Sequence, residues 1–385
     1  MSKIMVVNNE PDLEMLIEQK FRNEIKQEKL TFLFSRDGKE AFQEVQSDSE
    51  IEVVITDVNV KTMDGFELLS HLQKLNRPLK SILVSPYGDL NAIRQAMNLG
   101  AFDFVTRPIN LDELDAAVTK ALHQVEETRK MKKNQERLID IEKELDVAKS
   151  IQSSIIPHNF DPIPGNTSFE ILGSMTPAKH IGGDFFDFFP LPDNRLGFSI
   201  ADVSGKGIPA ALFMTMSRGL LRSLGQKSLS PLECLTQLNT LLSVENESSM
   251  FVTAFYGIYD YEKGYITYCN AGHNPPYLIR SSGQLEQIGR SEGIALGVTT
   301  DLITYQEHTL QIKPGDTLLL YTDGVTEAMN PTRHLFGEAR LESSLKAHKD
   351  APLPDLIRGV IQDVDAFSNG REQADDLTLL AIRAT

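Results

Sequence analysis

Short apolar runs rich in β-branched and aromatic residues recur through the first third of the chain: KIMVV (3–7), LTFLF (30–34), EVVIT (52–56), SILV (81–84) and FDFV (102–105). A helix-length stretch follows each one, so the pattern predicts a doubly wound α/β domain with a five-stranded parallel sheet over 1–121. Ligands of such sheets gather at the C-terminal strand ends, where Asn8, Asn9, Asp57, Ser85 and Arg107 fall. From 112 to 156 the chain has neither Gly nor Pro. Leu114, Val118, Ala121, Val125, Leu138, Ile141, Leu145, Ala148 and Ile155 recur there at three- and four-residue steps, which predicts one long coiled-coil helix. The basic run RKMKKNQER (129–137) interrupts that stripe as a solvated face or a register break, and Pro157 ends it.

Beyond 161 the periodicity changes to strand-like runs (FVTAFYGIYD, YITYCNA, DTLLLYTD, LTLLAIR) around two helices, 207–224 and 230–245. Ser230, Pro231 and Glu233 supply the second helix with an N-cap, an N1 proline and a capping-box acid. The expectation for 161–385 is an α+β domain built on antiparallel sheets.

Composition narrows the function. The 385 residues exceed a single small module, and 41% hydrophobic with 24% charged residues is ordinary globular composition. A net charge of −16 argues against nucleic-acid or anionic-membrane binding. No apolar stretch approaches the ~18 residues of a membrane span, and the N-terminus turns acidic too soon for a signal peptide. Two cysteines, Cys234 and Cys269, are too few for a disulfide framework and fit a reducing cytoplasm.

The candidate chemistry is carboxylate. Asp184, Asp202, Asp323 and Asp375 each sit where a strand-like run meets a polar or Gly-containing turn (IGGDFFD, SIADVSGKG, LLYTDGVTE, QADDLTLLAI). Acids held together in one cleft need a cation to offset their repulsion, and oxygen-only donors select hard ions such as Mg²⁺ or Mn²⁺. Taken singly, each is equally a turn-capping Asp.

Together, DVAKSIQSSIIP (146–157), PAKHIGGDFFDFF (177–189), ADVSGKGIPAAL (201–212), NAGHNPPYL (270–278), ALG (295–297), YTDGVTEAMN (321–330), FGEARL (336–341) and DDLTLL (375–380) resemble the metal-dependent protein phosphatases (PPM) of the bacterial SpoIIE/RsbU type. The resemblance implies a β-sandwich flanked by helices and a site of two Mn²⁺ or Mg²⁺ ions bridged by Asp202. Asp323 and Asp375 complete one ion; the Val203 carbonyl and Asp184, directly or through water, complete the other. Asp376 is the alternative to Asp375. The bridging water is then the nucleophile on a phosphoserine or phosphothreonine. Lys206 stands where related sequences usually carry His; it contacts phosphate or is an ordinary exposed lysine. His273 and His180 are the other candidate proton donors.

Residues 1–121, with ITDVNVKTMDGFELL (55–69), Ser85 and TRP (106–108), resemble a CheY-like receiver. The resemblance implies Asp57 as phosphoacceptor, the Asn59 carbonyl on Mg²⁺, Ser85 on the phosphoryl group and Phe104 at the aromatic switch. VVNNEP departs from the usual VVDDEP, so Asn8 and Asn9 replace both Mg²⁺-holding acids, and Arg107 replaces a lysine. Neutral amide oxygens bind Mg²⁺ more weakly, which predicts a pseudo-receiver that works without phosphorylation.

The resulting expectation is a receiver-regulated protein serine/threonine phosphatase, dimeric through the 112–156 helix. Its implied substrate is a phosphorylated STAS-type anti-sigma-factor antagonist, and a histidine kinase or regulatory protein acts at the receiver. The alternative is a non-catalytic adaptor that binds a sigma factor or another partner.

Overall fold

A computed structural model describes residues 1–86, 90–227, 229–244, 246–290, 293–300 and 304–385. The chain divides into two compact units, Met1–Ile141 and Glu142–Thr385. In the first, β1 (Ser2–Val7), α1 (Pro11–Lys20), α2 (Arg22–Lys26), β2 (Leu30–Ser35), α3 (Gly38–Ser47), β3 (Ile51–Asp57), α4 (Gly65–Gln73), β4 (Lys80–Pro86), α5 (Leu90–Asn98) and β5 (Asp103–Arg107) follow one another, and α6 (Leu111–Ile155) begins. The strands form one parallel sheet in the order β2-β1-β3-β4-β5. Every residue of β3 is buried, as expected of a central parallel strand covered on both faces.

The helix expected over 112–156 spans Leu111–Ile155, but its apolar stripe is not one seam. Leu114, Ala117, Val118 and Ala121 pack into the receiver core with Ile4, Val6, Val53 and Val84, so the first turns are the closing helix of the α/β unit. Within the basic run every residue is exposed, as a solvated face requires, and Arg129 also pairs with Glu52. Residues 126–144 are all exposed, with Leu138 62% and Ile141 43% accessible.

The second unit continues with β6 (Phe169–Thr176), β7 (Phe185–Leu191), β8 (Arg195–Val203), α7 (Ile208–Gly225), α8 (Pro231–Ser243), β9 (Val252–Asp260), β10 (Tyr265–Ala271), β11 (Tyr277–Ile279), β12 (Leu285–Gln287), β13 (Glu307–Gln311), β14 (Thr317–Tyr321), α9 (Asp323–Thr326), α10 (Gly337–His348), α11 (Leu353–Ser368) and β15 (Leu377–Ala384). Two antiparallel sheets, β13-β10-β9-β8-β7 and β12-β11-β14-β15-β6, face one another. Alternation along each strand builds the layers. Phe198 and Ile200 of β8 meet Leu318, Leu320, Leu380 and Ile382 between the sheets. Ala201 and Val203 of β8 face Met214 and Leu235 on α7 and α8. Leu319, Tyr321 and Leu379 face Leu341, Leu356 and Val360 on α10 and α11.

The Ser230 capping box is formed at α8. The sequence reading expected two helices in this unit, and α9, α10 and α11 lie beyond them. The 3.6-residue pattern of Leu353, Leu356, Ile357, Val360 and Val364 was there to be seen, but the surrounding strand-like runs masked it. Among the described residues no helix is long and apolar enough to cross a membrane.

Candidate metal centre and receiver pocket

Four carboxylates arrive at one end of the sandwich because four strand ends meet there. Asp184 immediately precedes β7, Asp202 is the penultimate residue of β8, Asp323 opens α9 after β14, and Asp375 lies two residues before β15. Two glycines let the Asp184 loop approach closely: a Cβ on Gly182 would fall 2.5 Å from Asp376 Oδ2, and one on Gly183 would lie 3.0 Å from the Val203 carbonyl oxygen. That carbonyl stands beyond the last β7–β8 pair, Phe185 with Ala201. Gly324 is equally constrained, since a Cβ there would fall 1.9 Å from the Asp376 carbonyl oxygen.

The acids perturb one another. Burial, reinforced by the Asp202 charge, raises the Asp184 carboxyl well above the usual range. Asp202 is pushed up to about 7, first by burial and then by Asp323, against the opposing effect of its hydrogen bond with Asp184. Asp323 rises to about 6, through burial, then Glu327 and Asp375. Carboxylates that resist ionisation because they are buried beside one another are what a cation offsets.

One internal cation is already placed among them. Lys206 Nζ lies 2.8 Å from Asp375 Oδ2 and donates to the Ala374 carbonyl. Burial works against the ammonium, but Asp375, with Asp376 and Asp323 beyond it, holds its pKa above the ordinary lysine value. The donor set is oxygen only, so it fits a hard divalent ion rather than zinc. Among the described residues no three His, Cys, Asp or Glu side chains are grouped closely enough to hold a metal ion as they stand.

Asp375 and Asp376 differ in what their oxygens do. Asp376 is buried and accepts from the backbone N–H groups of Ala178 (2.8 Å), Gly183 (2.6 Å) and Asp184 (3.3 Å). It ties the Asp184 loop to the start of β15. Asp375 turns one oxygen to Lys206 and accepts the Asp376 N–H on the other, at 2.9 Å.

Sequence reasoning missed two side chains that hold this loop. Thr322 Oγ1 donates to Asp184 Oδ2 at 2.7 Å and accepts from the Thr378 N–H at 3.1 Å. Its signal was a lone hydroxyl ending an apolar strand just before Asp323. Gln152, near the end of α6, accepts the Gly182 N–H at 3.0 Å and donates to the Gly182 carbonyl at 2.7 Å. It shows in the sequence as one polar residue at an apolar position of the helical stripe.

The two histidines fare differently. His273 is 2% exposed, its Nδ1 is 2.9 Å from Thr253 Oγ1, and burial lowers its pKa to about 4, so it is a neutral part of the β10–β11 turn. His180 is exposed on the loop before Asp184.

In the receiver pocket, the parallel strands bring Asn8, Asn9, Asp57, Ser85 and Arg107 to one edge. Asp57 is 9% exposed and forms an ion pair with Arg107, whose other nitrogen is 2.6 Å from Glu10 Oε1. Glu10, the acid retained in VVNNEP, had gone unremarked in the sequence. The Asn9 amide donates to the Asn59 carbonyl at 3.1 Å, and Asn8 Oδ1 accepts the Glu10 N–H at 2.7 Å. Ser85 is fully buried in β4, and Phe104 on β5 is 38% exposed. The Arg107 guanidinium thus engages Asp57, and the Asn9 amide engages the Asn59 carbonyl.

Comparison with known proteins agrees with both units. The family model for Stage II sporulation protein E (SpoIIE) matches residues 192–385, and that for the response regulator receiver domain matches 4–119. Protein IcfG of Synechocystis is 30% identical over 266 residues, covering 62% of this chain but only 41% of that protein's length. Phosphoserine phosphatase RsbU of Bacillus subtilis is 28% identical over 244 residues, 63% of this chain and 71% of that protein. The SiaA-PP2C domain of Pseudomonas aeruginosa shares the fold at a TM-score of 0.57, with 22% identity over 65% of this chain and 99% of that domain. The chain therefore belongs to the SpoIIE family and carries a response regulator receiver domain ahead of that family's domain.

Proposed function

We propose that this protein is a divalent-metal-dependent phosphoprotein (Ser/Thr) phosphatase under the control of its receiver and linker helix. The observation that carries the reading is the cluster of Asp184, Asp202, Asp323 and Asp375, in which burial first, and neighbouring acids after it, raise Asp202 to about 7 and Asp323 to about 6. Two Mn²⁺ or Mg²⁺ ions, when bound, supply the positive charge that offsets a phosphoryl group and makes water acidic enough to attack it.

Within the chain, Asp202 would serve both ions, Asp323 and Asp375 would hold one, and Asp184 with the Val203 carbonyl would hold the other. Asp375 rather than Asp376 is the ligand, because backbone donors already take up both Asp376 oxygens. Thr322 orients Asp184, and Lys206 is placed to exchange Asp375 for a substrate phosphate oxygen. The intact acid set favours this enzyme over an adaptor that merely binds a partner. The substrate class is a phosphorylated STAS-type antagonist. Hydrolysis of a phosphoserine protein by the full chain that appears with Mn²⁺ and disappears with EDTA tests the reading, and metal-independent turnover, or none at all, would refute it.

The receiver signals without phosphorylation. Because Arg107 already pairs with Asp57, and Asn9 holds the Asn59 carbonyl, phosphoryl transfer to Asp57 requires an ion that this pocket attracts poorly. Acetyl phosphate in Mg²⁺ is expected to label well under a tenth of the protein. Asn9→Asp with Asn8→Asp and Arg107→Lys should raise labelling severalfold on Phos-tag gels. Stoichiometric labelling of the wild type, lost in Asp57→Asn, would show the pocket to be a working receiver.

The exposed stripe of Leu138 and Ile141, continued by Leu145 and Ala148, pairs two chains in a parallel coiled coil, since an exposed helix of this length is marginal alone. Light scattering at tens of micromolar should give a dimer, and Leu138→Asp with Leu145→Asp a monomer. A monomeric wild type overturns the pairing.

A further inference from the structure

The Asp184 loop has little to hold it in its own right. Gly182 and Gly183 bring no side chains, and the loop lies outside the β7–β8 ladder, so no neighbouring strand satisfies the peptide groups of Gly182. Gln152 does so instead. Its side-chain amide accepts the Gly182 N–H and donates to the Gly182 carbonyl, pairing both backbone groups of one residue as an adjacent strand would. The next two N–H groups, of Gly183 and Asp184, go to Asp376, and the Asp184 carboxylate goes to Thr322. Three consecutive residues are thus clamped between the end of α6 and the start of β15, and Asp184 is the third.

Packing alone does not fix the helix end. A cavity of about 320 Å³, lined in part by Lys149, Ile156, Phe160, Met175 and Phe186, adjoins Gln152. Gln152 itself is 6% exposed. Ile156, just beyond the helix, packs in the core with Phe186 and Phe188, and beside the cavity the two directional hydrogen bonds of Gln152 set where the helix end meets the loop. The stripe Leu138, Ile141, Leu145, Ala148 continues with the same three- and four-residue steps to Gln152 and Ile155. A rotation or shift of the linker along that stripe is delivered at Gly182, two residues from Asp184.

We propose that Gln152 is a positioning residue through which the linker helix holds the Gly182–Asp184 loop, and with it the Asp184 carboxylate, in the arrangement that accepts a divalent ion. The proposal rests on the metal-dependent reading above and adds the route by which the linker governs it. Gln152 touches no reacting atom, and its effect passes through Gly182.

The test compares wild type with Gln152→Met, which keeps the length of the side chain but neither hydrogen bond. In metal-free full-length protein, the amides of Gly182, Gly183 and Asp184 should exchange with solvent at least tenfold faster in the variant. Calorimetric titration with Mn²⁺ should give at least tenfold weaker binding. Turnover should need correspondingly more Mn²⁺, with kcat recovering at saturating ion and KM for a phosphoserine protein unchanged, a split that general loss of structure does not produce. Should Gln152→Met not fold, Gln152→Glu carries the same comparison, because it retains an acceptor for the Gly182 N–H and loses only the donor. Unchanged amide exchange and Mn²⁺ affinity in a folded variant would overturn the proposal. A wild type that binds no Mn²⁺ would overturn the metal-dependent reading instead, and the amide exchange would still decide whether Gln152 holds the loop.

Discussion

Asp202→Ala is expected to leave a folded protein whose Mn²⁺-dependent phosphoserine hydrolysis has fallen at least about a thousandfold, on the order of 4 kcal/mol of lost transition-state stabilisation. The side chain sits among Asp184, Asp323 and Asp375, and Ala leaves no strong donor shared by two ions. Asp376→Ala offers the contrast. It strands the N–H groups of Ala178, Gly183 and Asp184, at about 1–3 kcal/mol for each buried donor that finds no water. It should therefore reduce stability as well as activity. Eight of the nine tyrosines lie beyond residue 142 and the chain has no tryptophan, so near-ultraviolet tyrosine signals report almost solely on the SpoIIE domain. Retention of most Mn²⁺-dependent turnover in folded Asp202→Ala would refute the ligand assignment. Equal stability losses in the two variants would refute the distinction between ligand and scaffold.

The second large effect concerns metal-free stability and its dependence on pH. A carboxyl raised in the folded state to about 7, against 3.8 unfolded, keeps its proton in the native protein over a range where the unfolded chain has released it. The native state then binds more protons, so the contribution of Asp202 to stability falls as pH rises between about 4 and 7. Asp323 acts with the same sign up to about 6. His273, lowered to about 4 by burial, acts oppositely between about 4 and 6.5, so the wild-type profile alone mixes the two. The difference between wild type and Asp202→Asn removes the Asp202 carboxyl together with its effect on Asp184, and leaves the His273 contribution common to both. Without metal, the variant should gain about 2–3 kcal/mol relative to wild type between pH 5 and 7.5, at ~1.4 kcal/mol per pH unit up to about pH 7. Added Mn²⁺ should reverse the order by stabilising the wild type more. Urea unfolding followed by tyrosine signal measures both, and a difference independent of pH would show that Asp202 is not held in a crowded acidic cluster.

Local periodicity carried most of the architecture. The five parallel strands, the long helix and the Ser230 cap were legible because alternation, three- and four-residue spacing and capping residues act over a few neighbours. The four acids were legible as a set because each shares the strand-end context. Neighbour-level pattern could not tell Asp375 from Asp376, which are adjacent and chemically identical. Only the fold, by bringing Gly183 and Asp184 against β15, gives Asp376 its backbone donors and leaves Asp375 to Lys206. The same holds for Gln152, whose partner is 30 residues away, and for Arg107, which reaches Asp57 and Glu10 across 50 and 97 residues. The stripe on α6 is interrupted in the sequence by the basic run at 129–137, and the two sides of that run differ in the fold: Leu114 to Ala121 fill the receiver core while Leu138 and Ile141 lie exposed. The sequence alone thus determined which residues are apolar, which are acidic and how they repeat. Which surface each helical face covers, and which of two adjacent carboxylates accepts the backbone N–H groups of the Asp184 loop, were decided by contacts between distant segments, because hydrogen bonds and burial depend on separation in space and not along the chain.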